Sequence, residues 1–266
     1  MQGDFHVHSQ FSWDAPAGDM EESCRQAVAL GLPSLAFTEH ADFVPEVHAD
    51  LRPFDPTAYL EQLERCRTLF PELRVLSGVE LGEPHLFSEQ TSEVLSAGRF
   101  DRVLGSVHCV SWGGRLRDGS QLRELPPEEA PGFMRAHLAE TLALLESSAP
   151  FEVLAHLDYP KRYWPHAELT YREEDFEEEL RAVLRAAAAR TAVLEVNTTR
   201  GREPSEGLCP GPVVLGWWAE ADGRAVSFGS DAHDPARLAR GFEFAVRCVE
   251  AAGFRPNPDP AGFWLR

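Results

Sequence analysis

Six of the ten histidines in this chain stand where a short apolar run ends. His6 and His8 form an H-x-H in Asp4-Phe5-His6-Val7-His8. His40 closes Phe37-Thr38-Glu39, His108 closes Gly105-Ser106-Val107, His156 closes Val153-Leu154-Ala155, and His233 closes Ser230-Asp231-Ala232. Asp14, Glu80 and Asp231 fall at equivalent places. Residues at i and i+2 of a strand point the same way, so His6 and His8 are able to ligate one ion together. A single histidine at a strand end is usually a hydrogen-bonded structural residue. Six histidines with three carboxylates are different, because burying them together without cations would leave charges and dipoles poorly compensated. Imidazoles mixed with carboxylates, without thiolates, suit Zn, Mn or Fe.

The elements that must position these groups alternate regularly. Apolar, β-rich runs occupy Asp4–His8, Ser34–Thr38, Arg74–Val79, Arg102–Val107, Phe151–Ala155, Ala192–Asn197 and Ala225–Gly229. Helical periodicity marks Asp19–Leu30, Asp55–Phe70, Ser88–Ala97, Pro131–Glu146, Tyr171–Arg190, Val213–Ala221 and Pro235–Ala252. Such alternation predicts parallel strands joined by crossover helices, an α/β fold. Seven units suit a distorted (β/α)7 barrel of TIM-barrel type, whose strand C-termini share one rim. No linker or low-complexity stretch divides residues 1–266, which read as a single domain. The longest stretch without periodicity, Ser111–Gly132, directly follows His108 and is expected to be a loop over the site.

Composition narrows the classes. With 43% hydrophobic and 26% charged residues, the chain has material for one continuous core. No apolar run approaches the roughly 18 residues of a membrane span, and the start of the chain has no basic-then-apolar leader, so a cytoplasmic protein without a membrane partner is expected. The five cysteines are scattered without a C-x-x-C pair, which argues against a thiolate zinc site. A formal charge of −18 argues against gripping extended nucleic acid. An anionic substrate stays compatible where divalent cations invert the local field. Oligomeric state is not legible.

The ordered set His6-x-His8, Asp14, Glu39-His40, Glu80, His108, His156 and Asp231-x-His233 resembles the PHP (polymerase and histidinol phosphatase) superfamily over nearly the whole chain. Within it the chain is most similar to histidinol-phosphate phosphatases, through Phe37-Thr38-Glu39-His40-Ala41-Asp42, Ala155-His156-Leu157-Asp158 with Lys161-Arg162-Tyr163, and Leu194-Glu195-Val196-Asn197-Thr198. The resemblance implies a distorted seven-stranded barrel holding three divalent metal ions. His6, His8, Glu80 and Asp231 would hold the first. Glu80 would bridge to a second, completed by His108 and His156. Asp14, His40 and His233 would hold the third.

Phosphomonoester hydrolysis needs a nucleophile and charge neutralisation. Water on such ions has its pKa lowered toward about 7, so a hydroxide bridging the Glu80-linked ions is the expected attacking group. Glu80, Asp231 and Arg162 are the candidate catalytic residues. Arg162 and Arg200 are expected to clamp the phosphate, with Lys161 and Arg202 as alternates and His85 as a substrate contact. Asp42, Glu83 or Asp158 would pair with the substrate amine, and Glu39 would orient a metal histidine. The expected reaction is conversion of L-histidinol phosphate to L-histidinol and phosphate, a step of histidine biosynthesis. Other readings stay open: a PHP phosphoesterase acting on a nucleotide, sugar phosphate or oligonucleotide end, a non-catalytic metal-binding relative, and amide hydrolysis on a related barrel.

Overall fold

The computed structural model describes residues 2–44, 47, 53–198 and 207–266. Seven parallel strands run in sequence order around one curled sheet: β1 (Asp4–Val7), β2 (Ser34–Ala41), β3 (Arg74–Gly82), β4 (Arg102–Ser106), β7 (Val153–Leu154), β8 (Val193–Asn197) and β9 (Ala225–Gly229). Each falls on one of the seven apolar runs. An eighth strand, β10 (Trp264–Leu265), pairs antiparallel with the start of β9 and was not anticipated; two residues are too short to carry a periodic signal. Past the end of β9 the chain meets β1. The His8 amide donates to the Ala232 carbonyl at 2.9 Å and the Asp231 amide to the His6 carbonyl at 2.8 Å. The barrel therefore closes at the strand C-termini, while β10 occupies the seam at the opposite end.

Helices cover the outside. α1 (Met20–Leu30) starts at Asp19, whose carboxylate accepts from the Glu22 amide, and stops at Gly31 with φ 71°. α2 (Pro56–Leu69) starts at Asp55 in the same way. α3 (Ser88–Ser96), α4 (Ala130–Glu146), α5 (Glu177–Ala189), α6 (Pro212–Glu220) and α7 (Phe242–Ala251) follow. One expected helix is corrected: Pro235–Ala252 is broken into a 3-10 turn, Pro235–Arg237, and α7. Ala239 (φ 53°) and Gly241 (φ 86°) adopt left-handed backbone between them, which interrupts the helical hydrogen-bond ladder. One apolar cluster packs α1 and α2 on the first strands, through Leu35, Phe37, Tyr59 and Leu63. A larger one packs α4 to α7 against the later strands, through Phe133, Leu184, Trp218 and Phe228.

The stretch Ser111–Gly132 is also corrected. It contains most of a β-hairpin, β5 (Cys109–Trp112) with β6 (Arg115–Asp118), then a 3-10 turn over Gly119–Glu124. Gly113 and Gly114, with φ 61° and 80°, supply the left-handed pair that a tight hairpin turn requires. The strands' solvent-facing polar residues masked the alternation.

Candidate metal centre

The strand register builds the site. In the β2–β3 ladder His40 is the direct partner of Glu80, so two ligand-type side chains lie side by side. His6, His8, His108, His156, Asp231, His233 and Asp14 converge on the same end, all but Asp14 buried and Asp14 half-buried. Glu80 is at the centre. Its Oε2 lies 3.2 Å from His6 Nε2, 3.5 Å from His8 Nε2 and 3.1 Å from His40 Nδ1. Its Oε1 lies 2.7 Å from His156 Nε2 and 3.2 Å from His108 Nε2. Asp231 Oδ1 is 3.4 Å from His8 Nε2, and Asp14 Oδ1 is 2.9 Å from His233 Nε2 and 3.4 Å from His40 Nε2. All nine residues expected as ligands are thus brought together.

The outer ring nitrogens explain how the inner ones are presented. His6 Nδ1 donates to Glu195 Oε1 at 2.5 Å, His8 Nδ1 to Ser12 Oγ at 2.9 Å, His108 Nδ1 to Asp42 Oδ1 at 2.9 Å and His233 Nδ1 to the Asp231 carbonyl at 2.9 Å. These acceptors assign the proton to Nδ1 and leave each Nε2 lone pair facing inward. Ser12 Oγ is itself held, donating to Glu39 at 2.6 Å, so Glu39 orients His8 through one hydroxyl. Gly229 permits the His6–Glu195 contact, because a Cβ there would stand 2.3 Å from Glu195 Oε1 and 2.4 Å from the His6 Cβ. Asp4 secures the β9 end, accepting from the amides of Ser230 (2.9 Å) and Ala239 (3.0 Å) on either side of Asp231 and His233.

A divalent ion fits this donor set. His6 Nε2 and His8 Nε2 are 3.0 Å apart, and His108 Nε2 and His156 Nε2 are 3.4 Å apart. Two lone pairs at that separation repel unless a cation lies between them, and ligands on one ion with bonds of about 2.1 Å are spaced in this way. Both buried ring nitrogens of His40 also lack a hydrogen-bond partner. Four overlapping groups of three are close enough to share an ion: His6/His8/Asp231, His6/Glu80/His156, His40/Glu80/His108 and His8/His40/His233.

The electrostatics point the same way. Burial would raise Glu80, yet His6, His108, His40 and His156 hold it well below the usual carboxylate range. Burial opposes charge on His40, but Asp14, Glu80 and Asp42 push it up to about 9. His6 and His108 are raised by their carboxylates against burial in the same manner. His8 and His156 are lowered, first by burial, which keeps them neutral and able to ligate. The field of this cluster therefore favours cations.

The cluster forms the floor of a cavity of about 330 Å³. Arg162 is in its wall, with Nη2 donating to Asp231 Oδ2 at 2.7 Å and Asn197 Oδ1 at 2.8 Å. Trp13, Tyr159 and Tyr163 supply aromatic surface, and the segment after β5 supplies Asp118, Ser120, Gln121 and Arg123. A larger apolar groove of about 960 Å³, between α7 and the C-terminal segment, contains none of the nine residues expected as ligands.

Several expected substrate contacts are elsewhere. Lys161 is buried with Nζ donating to Asp158 Oδ2 (3.1 Å), Glu173 Oε1 (3.1 Å) and the Leu208 carbonyl (2.8 Å), so it is a structural cation beside the cavity wall. His85 pairs with Glu140 at 2.7 Å and does not line the cavity. Asp158 is engaged by Lys161. Glu83, buried and raised to about 8 by desolvation despite His108, accepts from the His108 and Cys109 amides behind the histidines. Arg200 and Arg202 lie outside the described residues. Ser12 was not singled out from sequence, and Glu195 and Asn197 entered only within the segment Leu194–Thr198, without a role. Glu195 and Asn197 sit in the β8 run with the right alternation, and a carboxylate inside a buried strand is the signal that could have marked Glu195.

Comparison with known proteins agrees with the geometry. The PHP domain profile matches residues 4–199. The histidinol-phosphatase of Lactococcus lactis is 27% identical over 259 residues, covering 94% of this chain and 91% of that protein. A Clostridium acetobutylicum protein described as "Probable histidinol-phosphatase" is 29% identical over 257 residues, covering 95% and 94%. The crystal structure of the Lactococcus lactis histidinol phosphate phosphatase, complexed with zinc, L-histidinol and phosphate, superposes with a TM-score of 0.81 at 25% identity, covering 96% of this chain and 94% of that one. Fold, ligand geometry and profile coincide: the chain belongs to the PHP domain family.

Proposed function

We propose that this protein is a metal-dependent phosphomonoesterase that hydrolyses L-histidinol phosphate to L-histidinol and phosphate. The observation that carries the reading is the division of Glu80, with one oxygen toward His6, His8 and His40 and the other toward His108 and His156. A carboxylate shared in this way suits adjacent ion positions, as in multi-metal phosphoester hydrolysis. His6, His8, Glu80 and Asp231 would hold one ion, Glu80, His108 and His156 a second, and Asp14, His40 and His233 a third. The donor set suits Zn, Mn or Fe. When bound, such ions supply Lewis-acid neutralisation of the phosphoryl group and an activated water.

The chain's own residues do the rest. Glu195, Ser12 and Asp42 fix the ring tautomers of His6, His8 and His108. Arg162, held flat by Asp231 and Asn197, presents further N–H groups of its fork to phosphoryl oxygens. The Tyr159 ring, 5.1 Å from that of His156, limits water on one side. The cavity volume of about 330 Å³ is sufficient for a small phosphorylated alcohol. No helix among the described residues is long and apolar enough to cross a membrane.

Metal analysis of protein purified without chelators, combined with a phosphoester panel, tests this. Histidinol phosphate should exceed nucleotides and sugar phosphates in kcat/KM by at least about tenfold. A nucleotide or sugar phosphate preferred by orders of magnitude would replace the substrate. Glu80→Ala should lose bound metal and nearly all turnover; unchanged turnover would remove the enzymatic reading.

A further inference from the structure

We propose that Asp118 binds the positively charged nitrogen of the substrate's alcohol half and so sets selectivity for cationic phosphomonoesters. The inference rests on the phosphatase reading above. Four carboxylates line the cavity: Asp14, Asp42, Asp118 and Asp231. Three are engaged with the metal centre. Asp14 lies against His40 and His233, Asp42 against His108 and His40, and Asp231 against Arg162 and His8. Asp118 alone of the four forms no ion pair among the described residues.

Its place in the cavity suits the role. Tyr159 spans from the cluster to Asp118, with its ring 5.1 Å from that of His156 and its hydroxyl donating to Asp118 Oδ1 at 3.3 Å. A substrate whose phosphate lies on the floor beside Arg162 therefore extends its other end toward Asp118. The carboxylate is pre-positioned by the Ser120 amide, which donates to Oδ1 at 2.7 Å as the cap of the 3-10 turn. The nearby cation, Arg123, also lines the cavity but does not pair with Asp118; its guanidinium lies over the Tyr163 ring at 4.7 Å and its Nε donates to the Ser120 carbonyl. A charge-assisted contact in a partly enclosed pocket is stronger than a neutral one, and an uncharged substrate gains nothing from it. The two nitrogen cations of histidinol phosphate, ammonium and imidazolium, share this chemistry.

The test compares wild type and Asp118→Asn on three substrates: histidinol phosphate, its analogue lacking the amine, and phenylalaninol phosphate, which lacks the imidazole. Asparagine keeps the capping oxygen and removes the charge. The variant should raise KM for histidinol phosphate about tenfold with little change in kcat. Wild type should show a comparable rise with whichever analogue lacks the recognised cation, and that difference should vanish in the variant. Discrimination that persists in Asp118→Asn overturns the inference and leaves the phosphatase reading intact. If the variant does not fold, wild type alone decides: equal KM for all three substrates overturns the inference, and a rise with one analogue supports it. Failure of wild type to hydrolyse histidinol phosphate sinks the phosphatase reading, and the inference with it.

Discussion

Glu195 Oε1 lies 2.5 Å from His6 Nδ1, while the other oxygen of the same carboxylate accepts from the His156 amide at 2.7 Å and from Asn197 Nδ2 at 3.2 Å. One buried side chain on β8 thus fixes the ring of His6 on β1 and the backbone of His156 after β7. Carboxylates placed behind metal histidines typically raise metal affinity ten- to a hundredfold. Glu195→Gln should weaken metal retention by about that factor in competition with a chelator, with turnover recovering as metal is added. Metal retention equal to wild type would show that Glu195 is only packing.

Arg162 is the proposed phosphate contact, held in the cavity wall by Asp231 and Asn197. Lysine keeps the charge but loses the planar fork, and cannot hold Asp231 and Asn197 while also donating to phosphate. Arg162→Lys should lower kcat/KM about a hundredfold, on the scale of a lost charge-assisted contact in an active site. A steady-state profile within threefold of wild type would remove the role.

Stripping the metal should destabilise the fold. Lone pairs of His6 and His8 facing each other at 3.0 Å, and the buried Glu80, lose their compensation. An ion at a hundred times its Kd stabilises by about 2.7 kcal/mol, which for a chain of this size corresponds to a Tm shift of about 5–10 °C. Differential scanning calorimetry before and after chelation, then with zinc or manganese restored, reads this directly. An unchanged Tm would count against ions seated in the cluster.

His137, outside the set of expected ligands, gives a pH dependence of its own, dominated by burial, with His156 and His108 adding to it. It is buried on α4 with Nε2 donating to the Leu157 carbonyl at 3.0 Å, and burial lowers it to about 3. The unfolded chain takes up a proton near its ordinary value of 6.5, whereas the folded protein does not. Stability is therefore complete above 6.5 and falls as pH drops from there toward 3, by about 1.4 kcal/mol per pH unit in the middle of the window. His137→Gln keeps the donor and cannot titrate, so its stability should be flatter between pH 6 and 4. Urea unfolding at several pH values checks this; parallel curves would assign the acid sensitivity elsewhere.

Much of the site was legible without coordinates because strand C-termini in a parallel barrel share one rim. Histidines and carboxylates that end successive apolar runs must then converge, and His6, His8, His40, Glu80, His108, His156, Asp231 and His233 do. Asp14 was legible as a carboxylate following the first run, but its grouping with His40 and His233 came only from the family resemblance, since it lies several residues beyond β1. Substrate contacts were legible least. Lys161 and His85 sit near the expected strand ends, but which side of a loop a long side chain takes depends on partners such as Glu173 and Glu140.

What the sequence alone determined was the strand–helix order, the parallel sheet and the set of ligand-type residues, because periodicity and strand-end position are local properties of the chain. Tertiary structure decided the rest: that Glu80 is divided between two groups of histidines, that Glu195 and Ser12 fix ring tautomers, and that Asp118 rather than Asp158 faces the cavity. These depend on how the sheet curls until β9 meets β1, and a curvature summed over seven strands is written in no single segment.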